Sequence, residues 1–366
     1  MSIPSTRPLW EWDQADWNAV LPYAGLRSNT CVPMTAIAPG IEESAMEHAS
    51  YFASRALSSV RRGVLAGNPE DTLDMALRAA SGVSVPRDPA VAISLLQKLA
   101  SDPCTPRALR GRAFSVLSSI HFELRVDASD PSMWNIDSVY RAAVNADAAA
   151  ALGFVSPNVL WVARNIDRVG FRRQSECKFP GHSTARFEAL TDLWRVYDRR
   201  GEQLKREQEC REGKVSKAPN AYVCAAPGCG IEATHKSALQ QCSGKCSKEG
   251  KPAYCSKECQ KQDWKRHKLF CKEGAPVDCV VAQQRQAIAS GASAAPSRVS
   301  SNGMEFVAGV IGAPTESTDR KEHLIDLPDP TRPGQFIKMS SRTQSPAAMK
   351  ELRDQVYQAV SERQLR

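Results

Sequence analysis

Apolar residues recur at helical spacing from Leu73 onward, and each stretch is opened by the same kind of residue pair. Asn68-Pro69, Asp88-Pro89, Thr105-Pro106 and Ser156-Pro157 each set a side-chain acceptor where a helix would begin. Proline then occupies the first helical position, where its missing N–H costs nothing. Leu73, Ala76, Leu77 and Ala80 follow the first pair, and that stretch closes at Gly82. Ala92, Leu95, Leu96 and Leu99 follow the second, and Leu109, Ala113, Val116, Leu117, Ile120 and Leu124 follow the third. Short helices with one apolar face are stable only when stacked on one another, so residues 61–200 are expected to form an irregular helical-repeat domain. Leu193, Trp194, Val196 and Tyr197 continue its buried face. Trp10, Trp12 and Trp17 lie in residues 1–60, which read as a segment docking on that helical core rather than as a ligand-stacking site.

Beyond Arg199 the pattern turns polar. Glu202/Arg206 and Glu207/Arg211 stand at i,i+4 spacing, so 201–220 reads as a charged helix and linker. Residues 275–344 have the composition of a flexible linker and a partly disordered tail. Within them HLIDLPDPTRPGQFIKM reads as two short extended pieces around the turn sequence Thr331-Arg332-Pro333-Gly334. Ser345-Pro346 then opens an amphipathic helix over 345–363 with the stripe Met349, Leu352, Val356 and Val360. Such a helix either docks back or binds a partner, and the sequence does not separate the two.

Between these regions the chemistry is concentrated. Residues 221–274 contain C-x4-C-x12-C-x3-C-x8-C-x3-C-x7-H-x3-C, which uses seven of the twelve cysteines. Thiolates and imidazole are ligands that zinc favours, and a closed structural site takes four of them. Eight ligands in four close pairs therefore imply two zinc ions: Cys224/Cys229, Cys242/Cys246, Cys255/Cys259 and His267/Cys271. Disulfides are the weaker reading. MSIPSTRPLWEWDQ has neither a basic n-region nor an apolar h-region, and no run of eighteen apolar residues occurs, so an intracellular, reducing compartment (cytoplasm or nucleus) is expected. The scattered Cys31, Cys104, Cys177, Cys210 and Cys279 read as ordinary thiols.

KQDWKRHKLFC lacks Gly and Pro and reads as helix, which puts Cys255/Cys259 at one end and His267/Cys271 at the other. The two pairs are then roughly 12 Å apart at the helical rise, too far to meet on one ion. Each must be completed by an earlier pair, and spacing leaves open which.

The stretch Y-C-S-K-E-C-Q-K-Q-D-W-K-R-H-K-L-F-C resembles the second half of a MYND zinc finger, Y-C-x3-C-Q-x3-W-x2-H-x3-C. The resemblance implies a cross-braced topology. Cys224 and Cys229 would share one zinc with Cys255 and Cys259; Cys242 and Cys246 would share the other with His267 and Cys271. It also implies a peptide-binding surface at Gln260 and Trp264, which in such fingers line a groove for proline-rich ligands. The alternative for Trp264 is a plug in the small core between the metal sites. C-A-A-P-G-C and C-S-G-K-C depart from the usual C-x2-C, and both insertions contain glycine. His235 is a conceivable substitute ligand, with a solvated loop the preferred reading. More loosely, S-G-V-S-V-P-R-D-P-A-V-A-I-S-L-L-Q-K-L-A resembles Sel-type repeats, relatives of tetratricopeptides, through Gly82, Val83, Val85, Asp88 and Ala92 or Ala100. Ser81 and Ser84 break that glycine pattern. The combination of an irregular helical region with a MYND finger resembles MYND proteins of a fungal type.

Charge and missing motifs bound the function. The chain carries a formal +8. Within 221–274 there are ten Lys/Arg against five Asp/Glu, and seven thiolates with two dications would bring that segment to about +2, too little for a strong phosphate-binding surface. No P-loop, dinucleotide fingerprint, nucleophile elbow or H-E-x-x-H is present, so no catalytic residue and no further cofactor are expected. The leading expectation is a non-enzymatic protein-interaction adaptor: the finger grips short, proline-rich peptides while the helical repeats hold another partner, with neither membrane nor nucleic acid as partner. The alternatives are a RING-like ubiquitin ligase component, nucleic-acid binding through K-x2-D-W-K-R-H-K, and a SET-type methyltransferase, which would need a strand-rich domain that the helical pattern does not supply.

Overall fold

The computed structural model describes residues 14–34, 41–126, 134–173, 184–246, 251–274, 323–328, 336–341 and 344–364. The chain is mainly α and divides into two compact units, Met1–Gly201 and Glu202–Arg366. Trp10, Trp12, Cys177, Cys279 and the turn Thr331–Gly334 lie outside the described residues.

The first unit contains helices α1 (Gln14–Cys31), α2 (Ile41–Ala53), α3 (Leu57–Leu65), α4 (Pro69–Ser81), α5 (Pro89–Ser101), α6 (Arg107–Glu123), α7 (Ile136–Ala151), α8 (Pro157–Arg168) and α9 (Ala185–Glu188), and the start of α10 (Thr191–Lys217). Three of the four expected caps form. The Asn68 side chain accepts from the Glu70 and Asp71 amides, Asp88 from Val91, and Ser156 from Val159. Thr105 does not cap. Its hydroxyl donates to Asp102 Oδ2 at 3.0 Å, so Pro106 becomes the flanking residue and α6 starts at Arg107. α4 ends as expected at Gly82, whose φ is +78°.

Apolar stripes from these helices form two cores. Val20, Tyr23, Leu73, Leu77, Leu96 and Val116 belong to the first, with Trp17 packed against it. Phe122, Val139, Val162, Phe187, Leu193 and Trp194 belong to the second. Leu124 leaves the expected stripe: it lies just past the end of α6 and is exposed. The sequence pattern missed α7, which has no proline at its start. Asn135 caps it, and its buried Ala142, Ala143, Ala146 and Ala149 present small side chains to the core.

Ser156 is the cap whose loss should cost most. It is wholly buried, accepts from Val159 N at 3.2 Å and shares a hydrogen bond with Ser115 Oγ at 2.7 Å. Ser156→Ala would strip a helix cap and orphan a buried hydroxyl, a loss of about 2 kcal/mol. Thr105→Ala should cost clearly less. Urea unfolding of both variants checks the order.

In the second unit the later half of α10 leads to short strands β1 (Glu232–Ala233), β2 (Gln240–Gln241) and β3 (Ala253–Tyr254), then α11 (Lys257–His267). Of the expected ion pairs along α10, Glu202 and Arg206 meet at 3.3 Å. Arg211 is turned instead to Glu232 at the start of β1.

Within the segment expected to be linker and tail, the two extended pieces expected in HLIDLPDPTRPGQFIKM form, as strands of a sheet. Residues 275–322 are outside the described residues, but 323–328 and 336–341 form antiparallel strands β4 (His323–Pro328) and β5 (Phe336–Ser341), paired from His323↔Ser341 to Pro328↔Phe336. β4 also pairs with β1, giving the order β1-β4-β5. The physical reason is burial: Leu324 and Ile325 have an apolar surface to cover, and Ile325 joins the finger's core.

The final helix, α12 (Pro346–Gln364), is capped as expected, with Ser345 Oγ accepting from the Ala348 amide at 3.2 Å. It docks back on the same unit. Met349 is fully buried in that core, but Leu352 is exposed and Arg353 takes its place on the inward side. Met349, Val356 and Val360 keep the inward side expected of them, and only at Leu352 does the stripe depart, where Arg353 donates to the Cys229 carbonyl instead.

Candidate metal centre

The finger is built around its ligands. Its core contains Cys224, Cys229, Cys242, Cys255 and Cys259 among small residues such as Ala225, Ala226, Ala233 and Ala253. So small an apolar core holds little stability of its own. Backbone hydrogen bonds fix the early knuckles. The Cys224 amide donates to Ile231 O and the Ala225 amide to Ala253 O, each at 2.9 Å. The Cys242 amide donates to Pro252 O at 2.9 Å, beside the β2–β3 pairing.

α11 supplies part of the later ligands. Ser256 caps it by accepting from the Cys259 amide at 3.3 Å, so Cys255 precedes the helix and Cys259 lies in its first turn. At the other end His267 is the last helical residue and Cys271 comes just after the turn at 268–270. The helical pairs expected for both ends are thus half helix, half flanking chain.

These elements gather the eight side chains into two groups of four. Cys224, Cys229, Cys255 and Cys259 form one; Cys242, Cys246, His267 and Cys271 form the other, with all ligand atoms in each group within 4.8 Å of one another. In the first, Cys229–Cys255, Cys255–Cys259 and Cys259–Cys229 sulfurs are 3.6, 3.5 and 3.8 Å apart. In the second, Cys242–Cys271, Cys246–Cys242 and Cys246–Cys271 sulfurs are 3.7, 3.7 and 3.6 Å apart, and Cys246 Sγ lies 3.4 Å from His267 Nε2. Disulfide sulfurs stand about 2.05 Å apart, so none of these is a disulfide. A tetrahedron with zinc–sulfur bonds of about 2.3 Å has edges of about 3.8 Å, which these separations fit. The two clusters fit two zinc ions in a cross-brace. His235 is exposed and belongs to neither.

Residues 223–271 match the MYND finger family. No curated protein and no solved structure matches the chain. A MYND finger is a zinc-binding domain that typically mediates protein interactions. The pairing that the resemblance implied is the one the structure shows, despite the longer early loops.

Glycine explains one of those loops. A Cβ at Gly244 would lie 2.2 Å from Cys271 Sγ, and the Gly244 amide donates to Cys242 Sγ at 3.4 Å. Only a residue without a side chain lets the C-S-G-K-C backbone approach both sulfurs.

The charges of the MYND finger follow from crowding. Burial first, and hydrogen bonds with Cys271 and Cys242 next, push the Cys246 thiol up to about 12. Hydrogen bonds with Cys224 and Cys229 raise the Cys255 thiol in the same direction. A dication reverses this, since zinc ligates the thiolate and expels its proton. Zinc affinity therefore rises with pH and is lost on acidification.

Asp263 stands among basic residues on α11 but is buried. It is a strut of α11: it accepts from Tyr254 Oη at 2.9 Å and from Arg266 Nε and Nη2 at 2.7 and 2.8 Å. Burial, then this bond to Asp263, raises the Tyr254 pKa. The other missed residues come from α12. Lys350 Nζ donates to Cys259 Sγ at 2.9 Å and Arg353 Nη1 to Cys229 O at 2.8 Å. Burial works against the Lys350 ammonium, but hydrogen bonds to Cys259 and Cys229 outweigh it and raise its pKa. Nothing local in the sequence marks either residue, which lie about ninety and one hundred and twenty-four positions from their partners.

Among the described residues no helix is long and apolar enough to cross a membrane. Of the scattered cysteines, Cys31 is buried and Cys104 and Cys210 are exposed.

Proposed function

We propose that the chain is a zinc-dependent interaction adaptor whose finger binds short, proline-rich peptides through Gln260 and Trp264. The observation that carries this is the position of Trp264. Its indole is 46% exposed on a helix held at both ends by metal ligands, while its neighbour Asp263 is fully buried. A tryptophan that served as the plug between the two sites would be buried. Gln260 is half-buried and lies one turn earlier on the same helix. A flat, exposed indole suits a preformed polyproline-type segment, which loses little chain entropy on docking.

Each cluster offers four protein ligands and so leaves no open coordination position of the kind catalytic zinc uses, which favours a role without catalysis. The stacked, capped helices of the first unit favour a second partner surface of Sel or tetratricopeptide character.

Trp264→Ala tests the peptide site. The variant should keep both zinc ions and a dispersed amide spectrum while losing at least tenfold in affinity for a proline-rich peptide library, read by fluorescence anisotropy. Unchanged binding by the folded variant removes Trp264 from the site, and loss of the fold returns it to the core.

A further inference from the structure

Lys350 and Arg353 lie far outside the matched finger, yet both close on the cluster of four cysteines. That centre is the more negative of the two. Four thiolates around a dication leave a formal −2, whereas three thiolates and a neutral imidazole leave −1. The cation is delivered to the centre that carries the larger excess charge.

Its delivery is also built rather than incidental. Met349, the preceding residue, is fully buried in the finger's core. Arg353, three residues on, anchors the same helix to the carbonyl of Cys229, itself a ligand. β4 adds a further tie through its pairing with β1 and the burial of Ile325. A lysine on a free helix would lose its rotamer entropy for a single contact. Here its neighbours on α12 already hold it beside the sulfur.

We propose that Lys350 is a positioning residue of the four-cysteine zinc centre, and that α12 is a shield whose ammonium hydrogen bond to Cys259 holds the metal and quiets the thiolate. An N–H donor on a ligating sulfur draws charge from it, so the sulfur attacks electrophiles more slowly. Charge-assisted hydrogen bonds are roughly twice as strong as neutral ones. Partners that orient or tune metal ligands typically cost 10–100-fold in metal affinity when removed. The shield is reversible in principle, because α12 can leave without breaking a metal bond. Its departure would expose Cys259 to alkylation or oxidation.

The test uses the full chain loaded with zinc. Release of each ion to 4-(2-pyridylazo)resorcinol is followed by absorbance, and Cys259 alkylation by iodoacetamide is followed by peptide mass spectrometry. In that reaction the Cys259 sulfur forms a bond to carbon and iodide leaves. Lys350→Met keeps an unbranched, flexible stem one atom shorter and removes the charge. It should release one of the two zinc ions 10–100-fold faster, and Cys259 should alkylate faster by a similar factor. Lys350→Arg should restore both rates. In the cobalt-substituted protein, Lys350→Met should also shift the thiolate charge-transfer bands, which mere loosening of a distant helix would not do. Met349→Ala, which undocks α12 but keeps the lysine, should accelerate release of the same ion. Wild-type release and alkylation in Lys350→Met overturn the proposal. So does equal loss of both ions accompanied by rapid hydrogen exchange throughout 346–364, which would make Lys350 a structural residue only.

Discussion

Excess chelator at neutral pH is expected to abolish the tertiary fold of the finger and leave the helices of the Met1–Gly201 unit in place. The reason lies in what each core is made of. The first unit buries leucines, valines and aromatic rings in two clusters, and its helix ends are satisfied by their own caps. The finger buries mostly alanines and its own ligands. Structural zinc contributes about 10–16 kcal/mol per site to folding, far more than so small a core can replace. Native mass spectrometry should count two zinc ions per chain, and calorimetry should show two transitions, of which chelator removes one. Acidification should act in the same direction, because thiols crowded in each cluster reclaim protons as pH falls. Cys255→Ser and His267→Ala should each remove one ion and, through the cross-brace, loosen the other site. One ion per chain, or a dispersed finger spectrum after complete metal removal, would sink the two-site account.

Much of this was legible because the chemistry is local. Cap residues act on amides two or three positions away, so Asn68, Asp88 and Ser156 announce their helices. Thr105 misled because its hydroxyl is oriented toward Asp102, three residues earlier, and α6 begins one residue later than the pair implies, at Arg107. Ligand spacing reveals that two metals are present, and only the family resemblance supplied the pairing that the structure then showed. What stayed hidden is non-local. β4 and α12 are recruited to the finger across a long intervening stretch, and a two-residue strand such as β1 advertises no edge to pair with. The exchange of Leu352 for Arg353 on the inner side of α12 is the same lesson at the level of one residue. Period alone favours Leu352, but the Cys229 carbonyl selects Arg353.

Asp74→Ala is expected to destabilise the first unit by about 3–5 kcal/mol, the largest effect of any single substitution there. Asp74 is wholly buried on α4, and three groups converge on it. Tyr23 Oη donates to one oxygen; Arg78 Nε and Arg55 Nε lie 3.3 and 3.4 Å from the other. Burial, then the carboxylate, raises the Tyr23 pKa, so the phenol stays a donor. Arg78 is itself almost completely buried, lies 4.2 Å over the Phe52 ring, and donates to Arg55 O at 2.8 Å and Ser84 Oγ at 3.3 Å. Removing the carboxylate would leave a guanidinium and a hydroxyl inside the core without their anion. Against a typical stability of about 5–15 kcal/mol, such a loss is a large share. It should lower the melting temperature by about 10 °C. The pair as a whole is a different matter, because two buried charges repay little more than their own desolvation. Asp74→Leu combined with Arg78→Met should therefore recover most of the loss. Urea denaturation of the single and double variants measures both, with an unchanged slope showing that stability alone moved. A single-variant loss below about 1 kcal/mol would mean that water reaches Arg78 and that the network is less buried than its geometry shows.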